Sequence, residues 1–143
     1  MTQIDFYTQV EDKLQTACRL TAKARSMDLR VVLFCPDSDM CARLDRMLWS
    51  SPPTGFTPHC GPGDRLAAVT PVLIDTTCEH PLHDEVLINL HAEWPASFSR
   101  FQRLAEIVST DDHDRVTARA RYKFYRDRGY EIRTHDLSAP RAG

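Results

Sequence analysis

The run LRVVLFC, residues 29–35, decides the fold class. Apart from Arg30 every side chain in it is apolar, and Val31 and Val32 are β-branched. It is short for a helix and does not alternate, which is how a strand buried on both faces of a parallel sheet reads. VTPVLID at 69–75 and VLINL at 86–90 repeat the pattern, giving two further central strands.

Around these runs the period becomes helical. Pro36-Asp37-Ser38-Asp39 forms a turn able to cap a helix, and Met40, Leu44, Met47 and Leu48 recur on one face from about Asp39 to Trp49. Upstream, Val10, Leu14, Ala17 and Cys18 give one apolar stripe to a helix over Val10 to Met27, with Thr21 a polar exception on that face. A strand over Ile4 to Val10 precedes it, with Ile4, Phe6 and Thr8 alternating against polar neighbours. Downstream, Trp94 to Arg103 reads as a helix entered through Pro95 and Ser97, and Ala105 to Ser109 as a short strand. Asp111 and Asp112 open a long helix that ends near Arg128, with Gly129 at the C′ position. Tyr130 to Leu137 alternates as a last strand, and Ser138 to Gly143 is a tail expected to fray. Strands alternating with helices predict one α/β domain over residues 1–143, a three-layer fold with a mainly parallel central sheet flanked by helices.

The 143 residues suffice for one core, and 42% apolar with 27% charged residues is an ordinary globular balance. No apolar run approaches the roughly 18 residues of a membrane span, and Met1 to Val10 lacks the layout of a secretory leader. A cytosolic protein is expected. A net charge of −2 excludes general binding of nucleic acid through an overall basic surface. Five irregularly spaced cysteines suggest free thiols rather than a disulfide framework, and Cys35, ending an apolar run, reads as core filler.

Doubly wound folds often hold nucleotides, but neither GxGxxG nor GxxxxGK[ST] occurs. Gly61-Pro62-Gly63-Asp64 comes nearest, without a lysine and without a clear helix behind it. Cys78, His80 and His83 cluster without the paired spacing of zinc ligands. Neither GxSxG nor HExxH is present. No metal, no cofactor and no catalytic residue is therefore expected.

The last helix carries the strongest polar signal. At 100° per residue, Arg115, Arg119, Tyr122, Lys123 and Arg126 fall at about 0°, 40°, −20°, 80° and 20°. Such a stripe does not stabilise an isolated helix, because like charges at i, i+4 repel. It reads either as a solvated face or as an anion site. Guanidinium forks suit carboxylates and a tyrosine adds a flat apolar body with a polar tip, so an acidic peptide fits; a phosphate backbone fits too. A second signal is WSSPPTGFTPH at 49–59, where Trp49 and Phe56 stand in a proline-rich stretch. They could tuck under the loop as a satellite cluster or form a protein-binding patch.

RLDRMLWSSPPTGFTPH at 43–59 and the opening DFYTQV resemble the chi subunit of bacterial DNA polymerase III. VLINL at 86–90, the Phe98/Phe101 pair and ARARYKFYRDRGY at 118–130 follow in the family's order and spacing. The likeness runs from about Ile4 to Leu137 and is weakest over Cys60 to Glu85. It implies a nucleotide-binding-like α/β fold without a phosphate loop and a non-catalytic member of the clamp-loader assembly. It also implies two partners: the psi subunit, and the acidic C-terminal tail of single-stranded-DNA-binding protein, which ends in a Phe and its free carboxylate. By matching positions the tail site would be Arg115, Arg119, Tyr122 and Lys123, with Arg119 the main carboxylate partner and Tyr122 walling the Phe pocket. Arg126 joins them from its angle alone. The psi-facing group would be Leu44, Trp49, Phe56 and Pro58. Contact with single-stranded DNA would be indirect, and the likeness permits partnership with a repair helicase. The competing readings are a nucleotide-dependent enzyme on a doubly wound sheet and a direct single-stranded-DNA binder.

Overall fold

Seven strands form one sheet in a computed structural model of the chain, which describes residues 1–50, 59–61, 64, 70–77 and 82–138. The elements are β1 (Gln3–Val10), α1 (Lys13–Ser26), β2 (Val31–Phe34), α2 (Ser38–Ser50), β3 (His59–Cys60), β4 (Val72–Asp75), β5 (Val86–Asn89), β6 (Arg103–Ser109), α3 (Asp112–Asp127) and β7 (Ile132–Asp136). The strand order is β3-β4-β2-β5-β6-β1-β7, and every ladder is parallel. The expected three-layer α/β fold is what forms.

Topology fixes the layers. The steps β1 to β2 and β2 to β3 run one way across the sheet, and β6 to β7 runs the other. Right-handed crossovers therefore put α1 and α2 on one face and α3 on the opposite face. The core divides accordingly, by residue parity. Val31, Leu33, Val72, Ile74, Val86, Ile88 and Ile107 pack with Leu14, Ala17, Cys18, Leu44 and Leu48 of the first two helices. Val32, Phe34, Leu73, Leu87, Leu104 and Val108 pack with Phe98, Phe101, Ala118 and Tyr125 on the α3 side.

β1 breaks this parity. It pairs with β6 in register as far as Tyr7 opposite Ile107 and resumes at Val10 opposite Ser109, so Thr8 and Gln9 together face Val108. Gln9 takes φ +59°. Ile4 and Phe6 lie in the α3-side core, while Tyr7 and Val10, three apart, both meet the other one. Val10 is thus the last strand residue and not the first of α1, whose start is set by Asp12 accepting the Gln15 amide at 3.1 Å.

α3 has well-formed ends. Asp111 accepts the Asp114 amide at 3.0 Å. At the other end the Gly129 amide reaches Arg126 O and the Tyr130 amide Tyr125 O, the paired bonds of a Schellman motif, with Gly129 at φ +84°. α2 begins where the turn places it, with the Met40 amide bonded to the Asp37 carboxylate at 2.8 Å.

The helix expected over Trp94 to Arg103 is corrected to one 3-10 turn, Phe98–Arg100. Gln102 and Arg103 donate their amides to Asp84 O and Glu85 O, so the chain is already extended there. Pro95, which has no N–H, leaves room for a single turn between. β3 was not expected, because His59-Cys60 stands between two proline-rich stretches; it pairs with Val72 and Leu73 at the sheet edge. Cys18, Cys35, Cys41 and Cys60 are free thiols, and burial pushes the Cys35 thiol well above its ordinary range. Among the described residues no helix is long and apolar enough to cross a membrane.

Candidate functional site

α3 is anchored from beneath by a polar cluster inside the core. Glu106 of β6 is 0% exposed and accepts from Arg121 Nε at 3.0 Å, Asn89 Nδ2 at 3.0 Å and the Tyr125 hydroxyl at 2.6 Å. Arg121 spends a second nitrogen, Nη1, on Ala92 O at 2.7 Å. Burial pushes the Glu106 carboxyl above the usual carboxylate range, against the pull of Arg121 and its hydrogen-bond donors. A buried pair of this kind fixes geometry more than it adds stability. It sets the rotation of α3 with Ala118, Arg121 and Tyr125 down.

With that ridge down, one shoulder of α3 faces the bulged end of β1. Between them lies an open cavity of about 370 Å³. Phe6, Val108, Ala118 and Tyr122 give it apolar walls; Thr8, Gln9, Ser109 and Thr134 line the strand side; Arg115 and Arg119 line the helix side. The Tyr122 ring stands edge-on to Phe6 at 5.3 Å and is 36% exposed. The cavity lies at the carboxyl ends of β1 and β6, the edge where open α/β sheets usually bind ligands.

The cations are available. Among the described residues no carboxylate pairs with Arg119. Arg115 approaches Asp112 at 3.6 Å, but Asp112 is 98% exposed, and such a pair contributes little. The other acids of this helix start are occupied. Asp111 caps the helix; Asp114 accepts the Ser109 amide at 2.7 Å and meets Lys13 at 3.2 Å. Burial raises the Asp114 pKa, but the Ser109 amide and Lys13 outweigh it and hold the carboxyl below its ordinary value.

The structure thus brings Arg115, Arg119 and Tyr122 to one cavity. Lys123 and Arg126 do not line it; Lys123 is exposed, and Arg126 sits 3.6 Å from its neighbour Asp127. Leu44 is wholly buried in the core under α2, so it can serve a surface only by supporting it from below. The Trp49 side chain, Phe56 and Pro58 lie outside the described residues, as do Cys78 and His80. Among the described residues no three metal-binding side chains gather. Sequence reasoning missed the strand wall, Phe6, Thr8, Gln9 and Val108, and missed the anchor. The anchor left a signal: Arg121 falls about −120° from Arg115 on the wheel, beside Ala118 and Tyr125 rather than with the other cations.

Fold and site together define a class: a parallel α/β domain whose strand edge carries a basic, aromatic-walled pocket. A family model described as DNA polymerase III chi subunit, HolC, matches residues 1–133. The chain is 36% identical over 141 residues to DNA polymerase III subunit chi of Pseudomonas aeruginosa, covering 96% of this chain and 98% of that one. Against the subunit chi of Escherichia coli identity is 30% over 135 residues, covering 93% and 89%; against that of Haemophilus influenzae it is 29% over 124 residues, covering 86% of each. The chain belongs to the DNA polymerase III chi subunit family, whose place is that of an accessory subunit in DNA replication.

Proposed function

We propose that the chain is a non-catalytic adaptor of the clamp-loader assembly and that its cavity receives the acidic C-terminal tail of single-stranded-DNA-binding protein. The observation that carries this reading is Arg119, without a carboxylate partner among the described residues, on the wall of a cavity whose other walls include Phe6, Val108 and Tyr122. A terminal phenylalanine needs both halves of that site. Its ring takes the apolar walls and its carboxylate takes the guanidinium groups of Arg119 and Arg115. Lys123, exposed one step round the helix, meets acidic residues further up the tail. The cavity is of small-ligand size, within the range of about 300–1,000 Å³. Burying the phenyl group stabilises the complex by about 1.5–3 kcal/mol and each charged hydrogen bond by about 1.5–3 kcal/mol. Association costs about 4 kcal/mol or more. The balance is a micromolar, salt-weakened link. On this reading the psi subunit contacts Trp49, Phe56 and Pro58, with Leu44 supporting α2 from within the core, and contact with single-stranded DNA is indirect.

The test is calorimetric titration of the chain with an acidic peptide ending in Phe. A micromolar dissociation constant that weakens as salt rises supports the assignment. Absence of binding at low salt removes it.

A further inference from the structure

The positive-φ residue Gln9 stands at the one place where, among the described residues, the sheet departs from its register, and that place is the cavity wall. Bulges are rare in parallel pairs, and the left-handed region is unfavourable for a residue with a Cβ other than Asn or Asp. Such a feature persists because its surroundings impose it, and it clusters at functional sites. Here the shift has a definite effect on direction. In a regular strand Gln9 would follow Tyr7 onto the α1 face. With two residues opposite Val108, Val10 takes the α1 face instead, and Thr8 and Gln9 both line the cavity.

Their hydrogen-bonding states differ. The Thr8 hydroxyl is within 3.5 Å of His135 O, and the Ser109 hydroxyl accepts the Asp111 amide at 3.3 Å. The Gln9 side chain has no partner among the described residues. It brings an uncommitted amide donor to the wall opposite Arg115 and Arg119.

Building on the peptide-binding reading, we propose that Gln9 is a specificity-determining residue of this cavity. Its side-chain amide donates to the terminal carboxylate of the bound acidic peptide from the strand side while Arg119 holds that carboxylate from the helix side. A neutral donor adds direction to the grip without adding charge, so this part of the recognition resists salt. It favours a free carboxylate over a carboxamide end, which would offer one oxygen instead of two.

The experiment compares the parent chain with Gln9→Gly and Gln9→Asn, each titrated with an acidic peptide ending in Phe and with the same peptide amidated at its C-terminus. Glycine suits the positive φ and lacks the amide; asparagine also suits it and keeps the amide. We expect Gln9→Gly to be at least as thermally stable as the parent and to bind the free-acid peptide about five- to tenfold more weakly. The amidated peptide should lose less than twofold, and Gln9→Asn should recover most of the affinity. Equal binding by parent and Gln9→Gly overturns the assignment, as does an equal loss for both peptides, which would make the bulge a shaping element only. If the parent itself binds neither peptide, the peptide-binding reading fails and this assignment falls with it. If the parent binds and Gln9→Gly is silent, only the role of Gln9 is lost.

Discussion

Tyr125 donates its hydroxyl to Glu106 Oε2 at 2.6 Å, and both side chains are 0% exposed. The bond ties the last turn of α3 to the centre of β6 and so controls how the cavity-facing shoulder is presented.

Tyr125→Phe removes that bond and leaves a buried carboxylate short of a donor. We expect a loss of about 1–3 kcal/mol in folding stability, read by urea denaturation, with the denaturant dependence unchanged. A variant as stable as the parent would show that the hydroxyl constrains nothing.

Arg119 and Arg126 differ by only about 20° on the helical wheel, yet only Arg119 lines the cavity. Arg119→Ala should weaken binding of an acidic peptide ending in Phe about tenfold or more, without lowering the melting temperature. Arg126→Ala should change it less than about threefold and mainly at low salt, as a peripheral charge does. The two titrations side by side check the placement; equal losses would mean that the whole stripe, and not the cavity, is the site.

His83 is 6% exposed, and neither ring nitrogen has a hydrogen-bond partner among the described residues. Burial, helped by the nearby Arg30 charge and opposed by Glu85 and Asp84, holds its pKa below the ordinary 6.5. The unfolded chain therefore takes up this proton first, and acid favours unfolding. Stability linked to His83 is complete above pH 6.5 and is lost as pH falls from there towards its depressed folded value. His83→Leu should flatten the melting-temperature profile between about pH 7 and 5 relative to the parent; parallel profiles would count against this placement of the ring.

Gly129 closes α3 at φ +84°, and nothing lies within 4 Å of where a Cβ would be. Gly129→Ala should cost about 1–2 kcal/mol purely through backbone conformation. Chemical denaturation reads the loss, and Gly129→Asn, which tolerates this region better, should lose less.

The central strands were legible because their burial on both faces leaves unbroken apolar runs, and β2, β4 and β5 fall inside LRVVLFC, VTPVLID and VLINL. The helical stripe of cations was legible because α3 is regular from Asp112 to Asp127, so angle predicts direction. What escaped depends on relations between distant segments. The turn at Phe98–Arg100 is short because Asp84 and Glu85 claim the following amides. The strand wall of the cavity depends on a two-against-one register with β6, and no periodicity within β1 announces it. Which of the five stripe residues meet the cavity was set by Glu106 and Arg121, whose pairing joins β6 to the far side of α3.

The cavity is assembled from Phe6, Thr8 and Gln9 at the start of the chain and from residues 108–134 near its end. A ribosome still making this protein has released only half of the pocket, and a fragment clipped within either terminal region has lost a wall. A complete cavity therefore requires both segments folded together, because β1 lies between β6 and β7.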